Sequence, residues 1–141
     1  MVHVLTLLAG ANQPLSSAWI AGSVNTNPVV IRQVVGQLRV AGLVETVPGS
    51  AGGAILKTDA GQITLDDVYQ LIKADTFFGL HPSEPNPHCP VGRNIQCVLV
   101  DVCDQMDGLI AGALAQITIA DVVRRVSEQE SEHRGKHEVS G

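Results

Sequence analysis

Cys89, Cys97 and Cys103 are the residues of this 141-residue chain best suited to chemistry. A thiolate is both a nucleophile and a soft metal ligand, so redox, electrophile and metal chemistry are all open to them. Three is an odd number, and the apolar start "MVHVLTLLAGA" lacks the basic residues of a secretory signal, which argues against a disulfide framework. Cys89 stands just before Pro90, at the predicted start of a helix, where unpaired backbone N–H groups and the helix dipole favour a thiolate. It is the candidate redox or electrophile sensor, with a quiet capping role as the alternative. Cys97 and Cys103 fall inside the predicted helix. Six residues of regular helix set two side chains about 120° apart around the axis and ~9 Å along it. A regular helix cannot aim both at one small metal centre, and buried thiols are the expected alternative. His133 and His137 have an i, i+4 spacing, but in "SEQESEHRGKHEVSG" a solvated tail outweighs a metal pair, since nothing packed offers a third ligand.

These residues need elements to hold them. "VHVLTLLAG" reads as a helix ended by Gly10; no capping residue precedes it, so the natural helix is expected to begin earlier. Ser16 is the expected N-cap of a short second helix carrying Ala18, Ile20 and Ala21. In "TNPVVIRQVVGQLRVAGLV", Asn27 suits the N-cap and Pro28 the first helical position. Ile31, Val34, Val35 and Leu38 form a buried stripe, while Val29, Arg32, Gln33, Gly36 and Gln37 fall on the other side. Gly42 ends the helix, and "LVETV" and "AILK" flank "PGSAGG" as a hairpin.

This order predicts a mainly α chain with a small β-hairpin wing, a winged helix-turn-helix over residues 1–60. The second helix of such a unit sets its N-terminal residues against base edges in a major groove. Arg32 then suits phosphate or guanine, Gln33 an adenine edge, and Thr26 with the free N–H groups a phosphate. A solvated helix face is the plain alternative. Thr64 with Asp67, and Thr118 with Asp121, read as capping boxes. Between them lies the proline-rich "GLHPSEPNPHCP", then a helix from Val91. Ile95, Leu99, Val102, Met106, Leu109 and Ala113 are spaced 4, 3, 4, 3 and 4, the rhythm of a helix-helix seam. Burial within one subunit would use the same pattern. Residues 61–126 are expected to supply the linker helix, loop and long C-terminal dimerisation helix, and residues 127–141 a disordered tail.

The run "SSAWIAGSVNTNPVVIRQVVGQLRVAGLVETVPGSAGGAILKTDAGQITLDDVY" closely resembles the Rrf-two family of bacterial transcriptional repressors, which includes iron-sulfur and nitric-oxide sensors. "NPHCPVG" is similar to its YwnA-like branch, and the likeness spans roughly residues 2 to 124. The resemblance implies a homodimer bound to palindromic operator DNA. It implies DNA contacts from Thr26, Asn27, Val29, Arg32 and Gln33, with wing contacts from Gly49, Ser50 and Gly52. Relatives often carry an arginine at the start of the wing, where this chain has Pro48. Cluster-binding relatives carry three cysteines near the dimerisation helix and a fourth ligand of another type. That invites an iron-sulfur cluster on Cys89, Cys97 and Cys103 with His3, and it would require the helix to start late, near Asp104. A small ligand beneath "FFGLHP" is a third possible signal.

Bulk properties narrow the choice. Hydrophobic residues make up 45% and aromatics 3%, so the core must be Val, Leu, Ile and Ala, a composition that suits packed helices. No run approaches the ~18 apolar residues of a membrane span, and a cytoplasmic protein is expected. The net charge is −5, yet residues 1–57 alone carry a small positive excess through Arg32, Arg39 and Lys57 against Glu45. No nucleophile motif, phosphate loop or close His and carboxylate pair supports an enzyme. The remaining competitor is a winged-helix module that binds protein rather than DNA, and no resident cofactor is expected beyond the cluster weighed above.

Overall fold

A computed structural model describes residues 1–73 and 85–138, with the side chains of 135–138 left aside. Six helices and one hairpin follow in the order α1 (Val2–Gly10), α2 (Ser17–Val24), α3 (Pro28–Val40), β1 (Val44–Val47), β2 (Gly53–Leu56), α4 (Leu65–Ile72), α5 (Pro90–Leu114) and α6 (Ile119–Glu138). The expected mainly helical chain with a hairpin wing is the one observed.

Local signals set most boundaries. The Ser16 side chain caps α2 by accepting from the Trp19 amide. Asn25 takes a left-handed turn at φ 59°, a conformation asparagine tolerates better than most residues. Asn27 Oδ1 then accepts from the amides of Val29 and Val30 at 3.0 and 3.1 Å, and Pro28 opens α3 where its missing donor costs nothing. Gly42, at φ 78°, turns the chain from α3 into the hairpin.

β1 and β2 pair antiparallel with Val44 opposite Leu56 and Val47 opposite Gly53. Leu15 adds a short third rung through paired hydrogen bonds with Ala54 at 3.0 and 2.9 Å. A Cβ at Gly53 would strike the Leu15 carbonyl, so only glycine permits this approach. Leu5, Leu8, Ile20, Ile31, Leu38 and Val44 bury against one another and lock α1, α2, α3 and the hairpin into one body.

The segment after α5 returns to this body. Ile119 is fully buried with Ile63, and the amides of Leu65 and Ile119 donate to the carbonyls of Ile117 and Ile63, both at 2.8 Å. Both capping boxes form, Thr64 with Asp67 and Thr118 with Asp121. α6 then packs along α1. The disordered tail expected over 127–141 is not found where the chain is described: α6 runs on to Glu138. Pairs one turn apart, Arg124 with Asp121 and Glu128, and Arg134 with Glu130, favour helix in a stretch that has no proline to stop it.

α5 is unlike the rest. It is 25 residues long and contains no buried side chain. Its contact with its own chain runs along α4, where Asp107 accepts from the Tyr69 hydroxyl at 3.2 Å and pairs with Lys73 at 3.5 Å. Ile95, Leu99, Val102 and Leu109 are all exposed, and Ala113 with them, while Met106 is half-buried. Among the described residues, then, the seam is not buried within this chain.

Candidate nucleic-acid interface and thiol site

The front of α3 is an exposed surface with a fixed frame behind it. Ile31, Val35 and Leu38 are buried and prevent α3 from rotating, and this leaves Val29, Arg32 and Gln33 outward. Thr26 and Asn27 are exposed at the turn that precedes them. Asn27 uses its carboxamide oxygen as the helix cap, so only its NH2 group is free to meet another molecule. Val29 is 55% exposed, a branched apolar group where solvent gives it no partner. The wing residues Gly49 and Ser50 are exposed and Gly52 is half-buried. Gly49 is left-handed at φ 108°, and a Cβ at Gly52 would strike the Val47 carbonyl, so the tight wing tip depends on both.

Two features were not legible in the sequence. Trp19 is 55% exposed beside the wing and shares a groove with Ser16, Ser50 and Gly52. Arg39 lines a second trough with Arg32, between α3 and the hairpin. Nothing in the spacing of Arg39 separates it from an ordinary basic residue near a helix C-terminus.

The cysteines do not converge. Cys89 is the N-cap of α5, with Pro90 at the first helical position, and it is exposed. The amides of Gly92 and then Val91 hold its thiol below the ordinary value. Gly92 is needed here because the Asn86 carbonyl lies 2.5 Å from where its Cβ would be. The loop thus folds tightly onto the first turn of α5, helped by the Asn86 side chain, which accepts from the His88 amide at 2.9 Å.

α5 is unbroken from Pro90 to Leu114, so the late start near Asp104 is not found. Cys97 is exposed and Cys103 half-buried, so the expectation of two buried thiols also fails, because α5 buries no side chain among the described residues. His3 Nε2 lies 3.2 Å from Ser23 Oγ, a contact that ties α1 to α2. Among the described residues no group of three His, Cys, Asp or Glu could hold a metal ion. The side chain of His137, and the ligand gap expected beneath Phe77 to Pro82, lie outside the described residues. No described helix is long and apolar enough to cross a membrane.

Comparison with known proteins agrees with this geometry. Residues 1–125 match the Rrf2 family, described as "Iron-dependent Transcriptional regulator". The chain is 36% identical over 126 residues to a Bacillus subtilis (strain 168) protein named as the HTH-type transcriptional regulator YwnA, covering 89% of this chain and 92% of that one. The crystal structure of a transcriptional regulator from Lactobacillus plantarum superposes with a TM-score of 0.74 over 98% of this chain and 94% of its own, at 23% identity. T. potens IscR superposes with a TM-score of 0.67 at 25% identity, covering 91% of this chain and 83% of its own. These relatives are regulators rather than enzymes. An exposed helix front beside a hairpin wing, a family match over nearly the whole chain and a well-covered relative above 30% identity agree: the chain belongs to the Rrf2 family of DNA-binding transcriptional regulators.

Proposed function

We propose that the chain is a homodimeric repressor of a palindromic operator, joined along α5, whose DNA affinity changes when Cys89 is modified. The observation that carries this reading is the uncovered α5. Apart from its contact with α4, a helix that exposes Ile95, Leu99, Val102 and Leu109 and buries none of its side chains has its apolar residues left open among the described residues. A second copy offers the same seam, and the pairing would set two α3 fronts at a fixed separation, as a two-fold operator requires. Thr26, Asn27, Val29, Arg32 and Gln33 then meet DNA, with Gly49, Ser50 and Gly52 at the wing.

Cys89 stands at the start of that seam with its pKa lowered, the setting in which a thiol reacts. With a peroxide, the thiolate would attack the O–O bond: an S–O bond forms, the O–O bond breaks, and the leaving oxygen takes a proton to become water or alcohol. The sulfenic acid or its product would disturb the first turn of α5.

An iron-sulfur cluster is the second reading, favoured by the family's description as iron-dependent. The donors do not fit it: Cys97 and Cys103 point apart on one regular helix and His3 faces Ser23. Sedimentation equilibrium, followed by titration of a duplex selected from a random pool at several salt concentrations, tests the main reading. A dimer whose affinity falls steeply with salt is expected. A monomer, or salt-independent association, would return the chain to a protein-binding module. Peroxide should change the affinity of the wild type and leave Cys89→Ser unaffected. Equal responses would remove Cys89 as the sensor, and iron co-purifying without oxygen would revive the cluster.

A further inference from the structure

A groove of about 610 Å³ lies between α1, the start of α2 and the first turns of α6. Its walls are Leu7, Leu15, Trp19, Val123 and Val126, and no charged side chain lines it. Trp19 and Val126 are each 55% exposed, so two large apolar groups meet the groove without full cover among the described residues. The hydroxyls of Thr6 and Ser127 donate to the backbone carbonyls of Val2 and Val123, which leaves the carboxamides of Asn12 and Gln13 as the polar rim. The family match ends at residue 125, and Val126 and Ser127 lie beyond it.

Eleven residues line the groove, whereas a standard protein interface engages roughly 20–30 a side. Its volume instead falls in the range of small-molecule sites, roughly 300–1,000 Å³. A charged ligand would lose water there and find no counter-charge, which selects a neutral one. The indole of Trp19 offers a flat apolar face, which selects an aromatic one. We propose that this groove binds a neutral aromatic small molecule, stacked on Trp19 between α1 and α6, and that its occupancy is felt at the wing. Gln13, Leu15 and Trp19 line both this groove and the one beside Ser50 and Gly52, and Leu15 is hydrogen-bonded to Ala54 in β2. A ligand that shifts Leu15 or Trp19 therefore alters the support of the hairpin. The link to the wing rests on the DNA-binding reading above, whereas the ligand site does not.

Trp19 is the single tryptophan of the chain, so its fluorescence reports on the groove directly. The probes, added to the full chain, are N-phenylnaphthylamine, which is neutral, and anilinonaphthalene sulfonate, the same skeleton with a negative charge. The amine should quench Trp19 and saturate at one per chain, and the sulfonate should bind at least roughly tenfold more weakly. Val126→Asp puts a carboxylate at an exposed position, and Gly10→Leu fills the groove from a site where a Cβ has open space. Each should melt near the wild-type temperature and lower the affinity for the amine by more than roughly tenfold. Saturating amine should change wild-type affinity for a duplex selected from a random pool by roughly fivefold or more, and leave that of Gly10→Leu unchanged. Absent quenching, or equal binding in both variants, would overturn the ligand site, and equal binding of the sulfonate would overturn its neutral class. Quenching that strengthens as the protein is diluted would give the groove to a second copy and overturn the proposal as well. Bound amine with unchanged duplex affinity would overturn the link to the wing. A wild type that binds no duplex removes the DNA-binding reading and takes that link with it, while the fluorescence decides the ligand site by itself.

Discussion

α3 and α5 carry similar apolar residues at similar spacing, yet the first buries its stripe and the second does not. In α3, Ile31, Val35 and Leu38 are covered by α1, α2 and the hairpin. In α5, Ile95, Leu99 and Val102 stay more than a third exposed. Periodicity states that a helix has an apolar face and leaves open what covers it. The winged part buries its apolar stripe within this chain, whereas α5 leaves its stripe exposed among the described residues. α6 marks the boundary: its first residue, Ile119, belongs fully to the core, and within two turns the helix has left it.

The contrast can be broken at four places. Leu38→Ala should remove about 2–5 kcal/mol from the winged core, seen as a large drop in melting temperature at every protein concentration. Leu99→Asp should instead leave the concentration-independent melting of the winged part near wild type and weaken self-association by more than roughly tenfold in sedimentation. If both variants simply unfolded, the two regions would share one core.

Thr118→Ala, at the joint between α5 and the core, should cost about 1 kcal/mol by denaturant titration, because it removes the cap of α6. The same joint predicts an acid response. The Thr118 amide, then the Arg124 guanidinium and the Thr118 hydroxyl, hold the Asp121 carboxyl at about 2. A carboxyl with a depressed folded pKa contributes stability above its ordinary value of about 3.9 and loses it as pH falls towards the folded value. The α6 helical signal should therefore weaken between about pH 4 and pH 2, and less so in Asp121→Asn. Smallest of all, Asp107→Asn should change stability by under ~1 kcal/mol, since its Lys73 pair is about a third exposed, long at 3.5 Å and partly screened by solvent. A loss above that would make the α4 contact the true anchor of α5.

The starts of α2, α3, α4 and α6 were legible in the sequence because a cap is a conversation among residues three or four apart. Ser16, Asn27 with Pro28, Thr64 with Asp67 and Thr118 with Asp121 each settle their own helix start. The continuation of α6 past residue 126 was missed because its stabilising pairs are individually weak and read equally well as solvated charge. The sulfurs were half legible: spacing alone separated Cys97 from Cys103, but their exposure depended on how little of α5 the rest of the described fold buries.

By itself, then, the sequence determined where helices start and turn, which faces are apolar, and which family pattern the order of motifs follows, since all of these rest on neighbours along the chain. Tertiary structure alone decided that Leu15 pairs with Ala54, that Ile119 enters the core, that Arg32 and Arg39 line one trough with Gly36, and that α5 buries none of its side chains among the described residues. Those facts depend on which faces meet across the fold, and burial is a property of the meeting rather than of either face.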